Sequence, residues 1–284
     1  MQEKFYIPNL VVNELGNGVV NQILDKTFKP IVENKTLYVS NNGDDSTADG
    51  SVEKPFKTLW ACIVYAYKNL VSNFQIRIMF LTDYTETNVK SIKLRTHISS
   101  SYFEINGVGH NVSLPSFRLY QGCFTIRNVT ITNNTESTYP IYATEQATVF
   151  IGNLKINIDP SITTGKVIYA NRAAFIACLQ NTSINVKTHT NYTGDYFTAN
   201  NAGRLTLTDL NNITISDEGI KGTLYASRLC SLVTVAPRTF NCPKNREEAK
   251  AYYCHEKSHI SFFGRGSDLA IGGIKDIDET STIS

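Results

Sequence analysis

From about residue 120 to residue 235 the apolar positions of this chain recur, and the phase of the recurrence is informative. The segments TIRNVTI (125–131), FIGNLKI (150–156), CLQNTSI (178–184) and DLNNITI (209–215) align on an Asn at the fourth position: Asn128, Asn153, Asn181 and Asn212. FEINGVG around Asn106 is a weaker, earlier copy. A plain strand keeps its apolar residues at even offsets. Here they fall two before the Asn, then one and three after it. The alternation slips by one at the Asn, as a one-residue bend between two strands requires. Asn tolerates the left-handed backbone better than most residues, so it suits such a bend.

A second series runs through the same region: IYATEQA, IYANRAA, YFTANNAG and LYASRLC. Its aromatic members Tyr142, Tyr169, Phe197 and Tyr225 stand 27, 28 and 28 residues apart. Tyr120 in RLYQGC reads as an earlier member. Two markers at a similar period predict a solenoid of stacked coils rather than a sandwich. The expected fold is all-β: a right-handed parallel β-helix of about six coils. LWACIVYAYKNL (59–70) follows Thr58 with helical spacing and is expected to cap the open end, with Thr58 as N-cap and Pro55 fixing the chain before it. FQIRIMFL (74–81) reads as a strand. The expected organisation is an N-terminal attachment segment (1–34), the β-helix with its capping helix (35–237), and a C-terminal segment (238–284). In the first, VVNELGNGVVNQIL reads as a short helix. In the last, NREEAKAYYCHEKSHI (245–260) reads as a helix and GGIKDIDETSTIS as a polar, flexible tail.

Composition narrows the function classes. Hydrophobic residues make up 42%, enough for a large core, while charged residues are 18% and the net charge is +2. That balance supplies no global field for nucleic acid. There is no basic and apolar leader and no long apolar run, so neither export signal nor membrane insertion is expected. The six cysteines (Cys62, Cys123, Cys178, Cys230, Cys242 and Cys254) form no C-x-x-C pair and are expected to be buried and reduced. The N-x-[ST] sequons follow from a composition rich in Asn and Thr.

The stretch LYVSNNGDDSTADGSVEKPFKTLWACI (37–63) resembles the N-terminal motif of many pectate-lyase-like right-handed β-helix proteins. Tyr38, Val39, Ser40, Gly43, Asp45, Gly50, Pro55, Phe56 and Thr58 carry the likeness, and the asparagine series extends it to about residue 235. The resemblance implies the fold but no single reaction. The superfamily includes polysaccharide lyases, hydrolases, and bacteriophage tail spikes and fibres that only bind. Tail proteins of that kind are usually trimers assembled with other virion proteins, and some bind host surface polysaccharide; the resemblance implies a place in the virion, and the missing export signal implies synthesis in a host cytoplasm.

Candidate chemistry is sparse. Three residues after each aromatic marker come Glu145, Arg172, Asn200 and Arg228, expected to stack as one column. That column reads either as a surface ion-pair ladder or as a sugar-binding stripe beside the aromatic rings. Asp159 and Asp195 fall in variable loops, where ligand-binding residues collect. No carboxylate pair is forced together by spacing as glycoside hydrolysis needs, and no catalytic residue is assigned. Asp44, Asp45 and Asp49 lack the bidentate Glu of a calcium loop. Cys242, Cys254, His255 and His259 lack zinc-ligand spacing. His110 reads as structural. No metal or cofactor is expected. The reading that follows is a virion structural protein of the tail-fibre or tail-spike type. The alternatives are a polysaccharide depolymerase (lyase or glycoside hydrolase) and a purely architectural assembly protein.

Overall fold

A computed structural model describes residues 6–7, 10–11, 31–69, 74–86, 91–95, 102–133, 139–189, 191–208, 210–216, 222–241, 250–262 and 274–283. They form a parallel β-solenoid of about six turns, all-β apart from one helix. Further rungs lie at the ends, so that the longest ladder exceeds six strands. The first face of the solenoid runs from Lys35–Val39 through Gln75–Phe80 and Tyr102–Asn106 into the first halves of Cys123–Asn133 and Thr148–Ile158. It continues through Phe175–Cys178, Arg204–Thr208, Leu232–Ala236 and His259–Ser261. The second face holds Val112–Leu114, the second halves of the two long strands, Ser183–Lys187 and Asn212–Ser216. The third is a separate eight-stranded sheet from Ser91–Arg95 to Ile274–Ile277.

The bend between the first two faces is where the apolar phase slips. Asn128 and Asn153 have φ of 57° and 49°. Ile126 pairs with Ile151 before the bend, and Val129 with Leu154 after it; all four are buried. Asn153 Nδ2 donates to Asn128 Oδ1 at 2.9 Å, and Asn128 Nδ2 to Asn106 Oδ1 at 2.8 Å. The asparagine ladder therefore exists over these three residues.

Above Asn153 it departs from the sequence alignment. Ile184 lies beside Leu154, not Ile156. Residues 179–183 separate Cys178 from Ile184, where the turn below has only 152 and 153 between Ile151 and Leu154. Asn181 sits in that longer loop with φ 57°, and its carbonyl accepts from Asn211 Nδ2. Ser183 takes the place above Asn153 and donates its N–H to Asn153 Oδ1. Asn212 is in register with Ser183 but lies in a strand, and its buried Oδ1 has no hydrogen-bond partner.

The third face carries a similar correction. Tyr142 pairs with Tyr169, but Phe197 pairs with Ile168, then with Tyr225, which pairs with Tyr252. Ile141, Ile168, Phe197 and Tyr225 form an inward column, all buried. Tyr142 and Tyr169 belong to the neighbouring outward column, which continues through Thr198, Ala226 and Tyr253. Tyr120 pairs with Thr144, outside both.

The C-terminal segment is not helical where it is described. Lys250–Cys254 and His259–Ser261 are strands that extend the third and first faces. Ile274–Ile277 and Thr282–Ile283 add a further rung, so the supposed polar tail is part of the solenoid. Most of residues 1–34, including the expected helix, and Cys242 lie outside the described residues.

At the other end, the acidic loop is a latch. Asp45 accepts from the Lys57 and Thr58 N–H groups at 2.7 and 2.9 Å and from the Thr58 hydroxyl at 2.8 Å. Thr58 Oγ1 in turn accepts from Ala61 N–H, as the N-cap of the helix Leu59–Asn69. Asp44 and Asp49 fasten their own turns through Ser46, Thr47 and Ser51. Gly43 is required by close approach, since a Cβ there would lie 2.5 Å from the Phe56 carbonyl oxygen. The helix buries Leu59, Cys62, Ile63 and Ala66, and its Tyr67 stacks on core residue Phe103. It thus covers apolar surface at the end of the solenoid. Cys62, Cys123, Cys178, Cys230 and Cys254 are free; Cys230 is exposed, against the expectation of burial, while Cys123 and Cys178 are half-buried.

Replacing Asn153 separates backbone from side-chain contributions. Asn153→Ala is expected to lose about 1–2 kcal/mol, since a left-handed Ala is strained and two cross-rung hydrogen bonds disappear. Asn153→Gly is expected to recover the backbone part, measured as a higher urea midpoint than that of the Ala variant.

Candidate functional site

The sequence-derived candidates divide between two adjacent columns and a separate loop. Glu145 and Arg172 occupy equivalent left-handed positions, with φ of 53° and 48°. Their counterpart on the next turn is Asn201, not Asn200. Asn200 and Arg228 lie one position earlier, in line with Asn171 and His255, as their N–H bonds to the preceding rung show. Asp159 is elsewhere. Its carboxylate accepts from Ser161 N–H and hydroxyl within its own turn, and those bonds lower its pKa.

Asp195 is brought to the third face. A column of glycines precedes its strands: a Cβ on Gly194 would meet the Gly165 oxygen at 2.5 Å, and one on Gly222 the Gly194 oxygen at 1.8 Å. The rungs therefore approach closely just before Lys166, Asp195 and Thr223. Lys166 is in register with Asp195 and its Nζ lies 3.9 Å from the carboxylate. Arg228 approaches the same oxygen at 3.6 Å.

Aromatic rings flank these charges. Tyr142 and Tyr169 stack at 5.1 Å, and Tyr139 meets both edge-on. Lys166 lies over Tyr169 at 5.1 Å. Asn171 donates to the Tyr142 hydroxyl at 3.0 Å, Asn200 to the Tyr169 hydroxyl at 3.3 Å, and Asn201 to Asn171 Oδ1 at 2.8 Å. Burial pushes the Tyr169 hydroxyl above its ordinary pKa. Further along, Arg228 stacks on Tyr253 at 4.3 Å and His255 on the same ring at 4.1 Å. His255 Nε2 is 2.6 Å from Asp276 Oδ1. Asp278, held by the Glu256 N–H and by Thr280, has its pKa lowered to about 2. The result is a set of polar and aromatic side chains spread across several rungs of one face, suited to hydrogen bonding and ring stacking.

The sequence placed Asn200 and Arg228 in a stripe beside Tyr142 and Tyr169, and Asp195 in a variable loop; Asp195 instead begins the strand Asp195–Ala199. Sequence reasoning missed Lys166, Asn171, Tyr253 and the glycine column. The glycines were legible as TGK, TGD and KGT at regular spacing. Of the Cys and His residues near the C-terminus, Cys254 Sγ approaches the Thr282 carbonyl and His259 the Thr282 hydroxyl, while Cys242 lies outside the described residues. Among the described residues no group of three or more His, Cys, Asp or Glu is placed to hold a metal ion, and no helix is long and apolar enough to cross a membrane. His110 lies 3.7 Å from Asp83.

A second cluster lies on the first face. Glu104, 2% exposed, is bound by Arg77 at 2.8 Å and Arg127 at 2.7 Å, with Gln75 and Asn106 donating as well. Burial opposes its ionisation, but the two guanidiniums outweigh burial and its pKa falls below 4.5. A lowered carboxylate pKa adds stability above the unfolded-state value, and that stability is lost as pH falls through the folded-state value. Glu104→Gln is expected to reduce stability at pH 7 and to flatten its decline below about pH 4.5. Urea midpoints for both proteins across that range would check this.

No protein-family model, curated protein or solved structure matches this chain.

Proposed function

We propose that this chain is a virion structural protein of the bacteriophage tail-fibre or tail-spike type, which holds a host-surface glycan along its third face. The observation that carries the binding part is the stripe itself. Tyrosine rings, tyrosine hydroxyls, amides and a paired carboxylate recur along a rigid sheet, in the mixture that sugar rings and their hydroxyls require. The virion part rests on the resemblance of residues 37–63 to the N-terminal motif of β-helix proteins that include tail spikes. A homotrimer working with other virion proteins follows from the same resemblance.

A second reading, a polysaccharide depolymerase, draws on His255 and Asp276, whose 2.6 Å contact makes a hydrogen-bonded acid–base pair. The first reading is favoured because the third-face carboxylate Asp195 lies between two cations beside the tyrosine rings, within the stripe itself.

Binding of purified capsule and surface polysaccharides to an array tests the reading. The wild-type chain is expected to retain a subset of them without releasing reducing ends or unsaturated uronate. Asn171→Ala, which removes the amide beside Tyr142, is expected to weaken retention about tenfold, near 1.4 kcal/mol. Light scattering is expected to give a trimeric mass. An array with no bound glycan would defeat the binding part, and sugar release lost on His255→Ala would favour the depolymerase.

A further inference from the structure

The asparagine ladder of the first bend ends on a charge. Asn153 donates to Asn128 and Asn128 to Asn106, and Asn106 Nδ2 donates to Glu104 Oε1 at 3.2 Å. The same oxygen accepts from Arg127 Nε at 2.8 Å and Nη2 at 2.7 Å. The other, Oε2, accepts from Arg77 Nε at 2.8 Å and Gln75 Nε2 at 3.2 Å. A carboxylate offers about four acceptor positions, so Glu104 is saturated. At 2% exposure it is also closed to any ligand. What it does is hold two guanidiniums in place.

The guanidiniums themselves are not saturated. Their side chains are 42% and 37% exposed. Among the described residues, Arg77 Nη1 and Nη2 and Arg127 Nη1 have no partner. Two positive charges meet one negative, so the cluster keeps an excess of one positive charge, with N–H groups left over to carry it. Because both arginines grip the same carboxylate, their forks stand within the span of a single oxyanion. The surface beside them is walled. Arg127 pairs with Gly152, where a Cβ would meet Thr182 Cγ2 at 2.8 Å and Leu179 Cβ at 3.2 Å. The long loop 179–183 therefore rises next to Arg127, with Gln180 exposed in it.

We propose that Arg77 and Arg127 form a binding site for a single phosphodiester group, bordered by the loop 179–183. The excess of one positive charge matches a monoanion, whereas a phosphomonoester dianion would leave negative charge beside buried Glu104. A phosphodiester spreads its charge over two weakly basic oxygens and suits guanidinium, which is itself weakly hydrated. A carboxylate is held more tightly by water and loses more on leaving it beside Glu104. A nucleic-acid strand needs a row of cations, one for each phosphate it presents. The positions in line with Arg77 beyond Glu104 are Thr125, Phe150, Ala177 and Thr206, none of them charged. The fitting ligand is thus an isolated phosphodiester, as a polyol phosphate or a phospholipid headgroup carries it. The site lies on the first face and does not rest on the glycan reading of the third.

Titration with glycerophosphoglycerol, which holds one phosphodiester between two glycerols, tests the site through the NMR signals of the arginine Nε–H groups. A saturable shift is expected, at least about tenfold tighter than with galacturonate and absent with neutral diglycerol. Arg77→Lys keeps a cation for Glu104 but has no fork to turn outward. It is expected to weaken binding about tenfold at an unchanged thermal midpoint, and Arg127→Lys likewise. Asn171→Ala, on the third face, is expected to bind as wild type does. The slope of log Kd against log salt is expected to be roughly one, for one phosphate contacted. Retention on phosphatidylglycerol vesicles would assign the headgroup as source; binding of the free diester without vesicle retention would assign a polyol phosphate. No saturable shift, equal affinity for galacturonate, or unchanged affinity in Arg77→Lys would each overturn the site. So would a DNA oligonucleotide bound more tightly with a slope of several ions. The comparison of probes on the wild-type chain decides the matter even where a variant is destabilised.

Discussion

The hydrogen bond from one rung to the next, repeated at each corner, is the interaction on which the rest of this molecule depends. Parallel strands fix the rung spacing near 4.8 Å, so every turn must change direction at the same height as its neighbours. Corners after the third face use two successive left-handed residues: Glu145–Gln146, Arg172–Ala173, Asn201–Ala202, Leu229–Cys230 and Glu256–Lys257. Each such residue costs roughly 1–2 kcal/mol unless it is Gly, or less for Asn. The compensation runs along the stack. Gln146, Ala173, Ala202 and Cys230 each donate an N–H to the carbonyl of the corner one rung on, at Arg172, Asn201, Leu229 and Glu256. A corner strained alone is thus satisfied in company, and the type of side chain there matters little. This explains how leucine and cysteine occupy positions that glycine would fill in an isolated turn.

Once the corners align, outward side chains are held in columns whose spacing the backbone dictates. Tyr142 must stack with Tyr169 because their strands pair in register. Function, on this scaffold, is a matter of which side chains neighbour one another up the column. The bulky residue changes column between Tyr169 and Phe197: Phe197 pairs with inward Ile168, and Thr198 follows Tyr169 in the outward column.

That slip also sets the limit of what the sequence could reveal. The solenoid was legible because Asn128 and Asn153 mark real bends, and because the apolar phase changes at them. The register was less legible, because IYA and YFTA present two adjacent bulky residues, either of which fits the aromatic column. Likewise ITI and SIN offer an Ile to either of two alignments, so the longer loop at 179–183 was absorbed as period drift. The stretch AKAYYCHE contains good helix formers, yet Tyr252 and Cys254 are buried and Tyr253 is not, the period of a strand. Pairing with Thr223–Ser227 overrode local propensity. Of the candidate site, the tyrosines, Arg228 and Asp195 were visible as types. Their convergence was not, because it depends on Arg228 meeting Asp195 of the neighbouring rung and Tyr253 of the next, and no spacing encodes those contacts.

The two charged clusters show why ion pairs on one scaffold need not serve one purpose. Glu104 is almost fully buried, and its carboxylate is held by Arg77 and Arg127 at 2.7–2.8 Å with further amide donors. Removing any partner leaves a desolvated charge, so the cluster is committed to the fold. Asp195 also has two cations, but at 3.6 and 3.9 Å, with an arginine whose Nε is unsatisfied and which lies over an aromatic ring. The difference lies in geometry rather than composition: short bonds fix a buried carboxylate as structure, and long ones hold a carboxylate loosely between its cations.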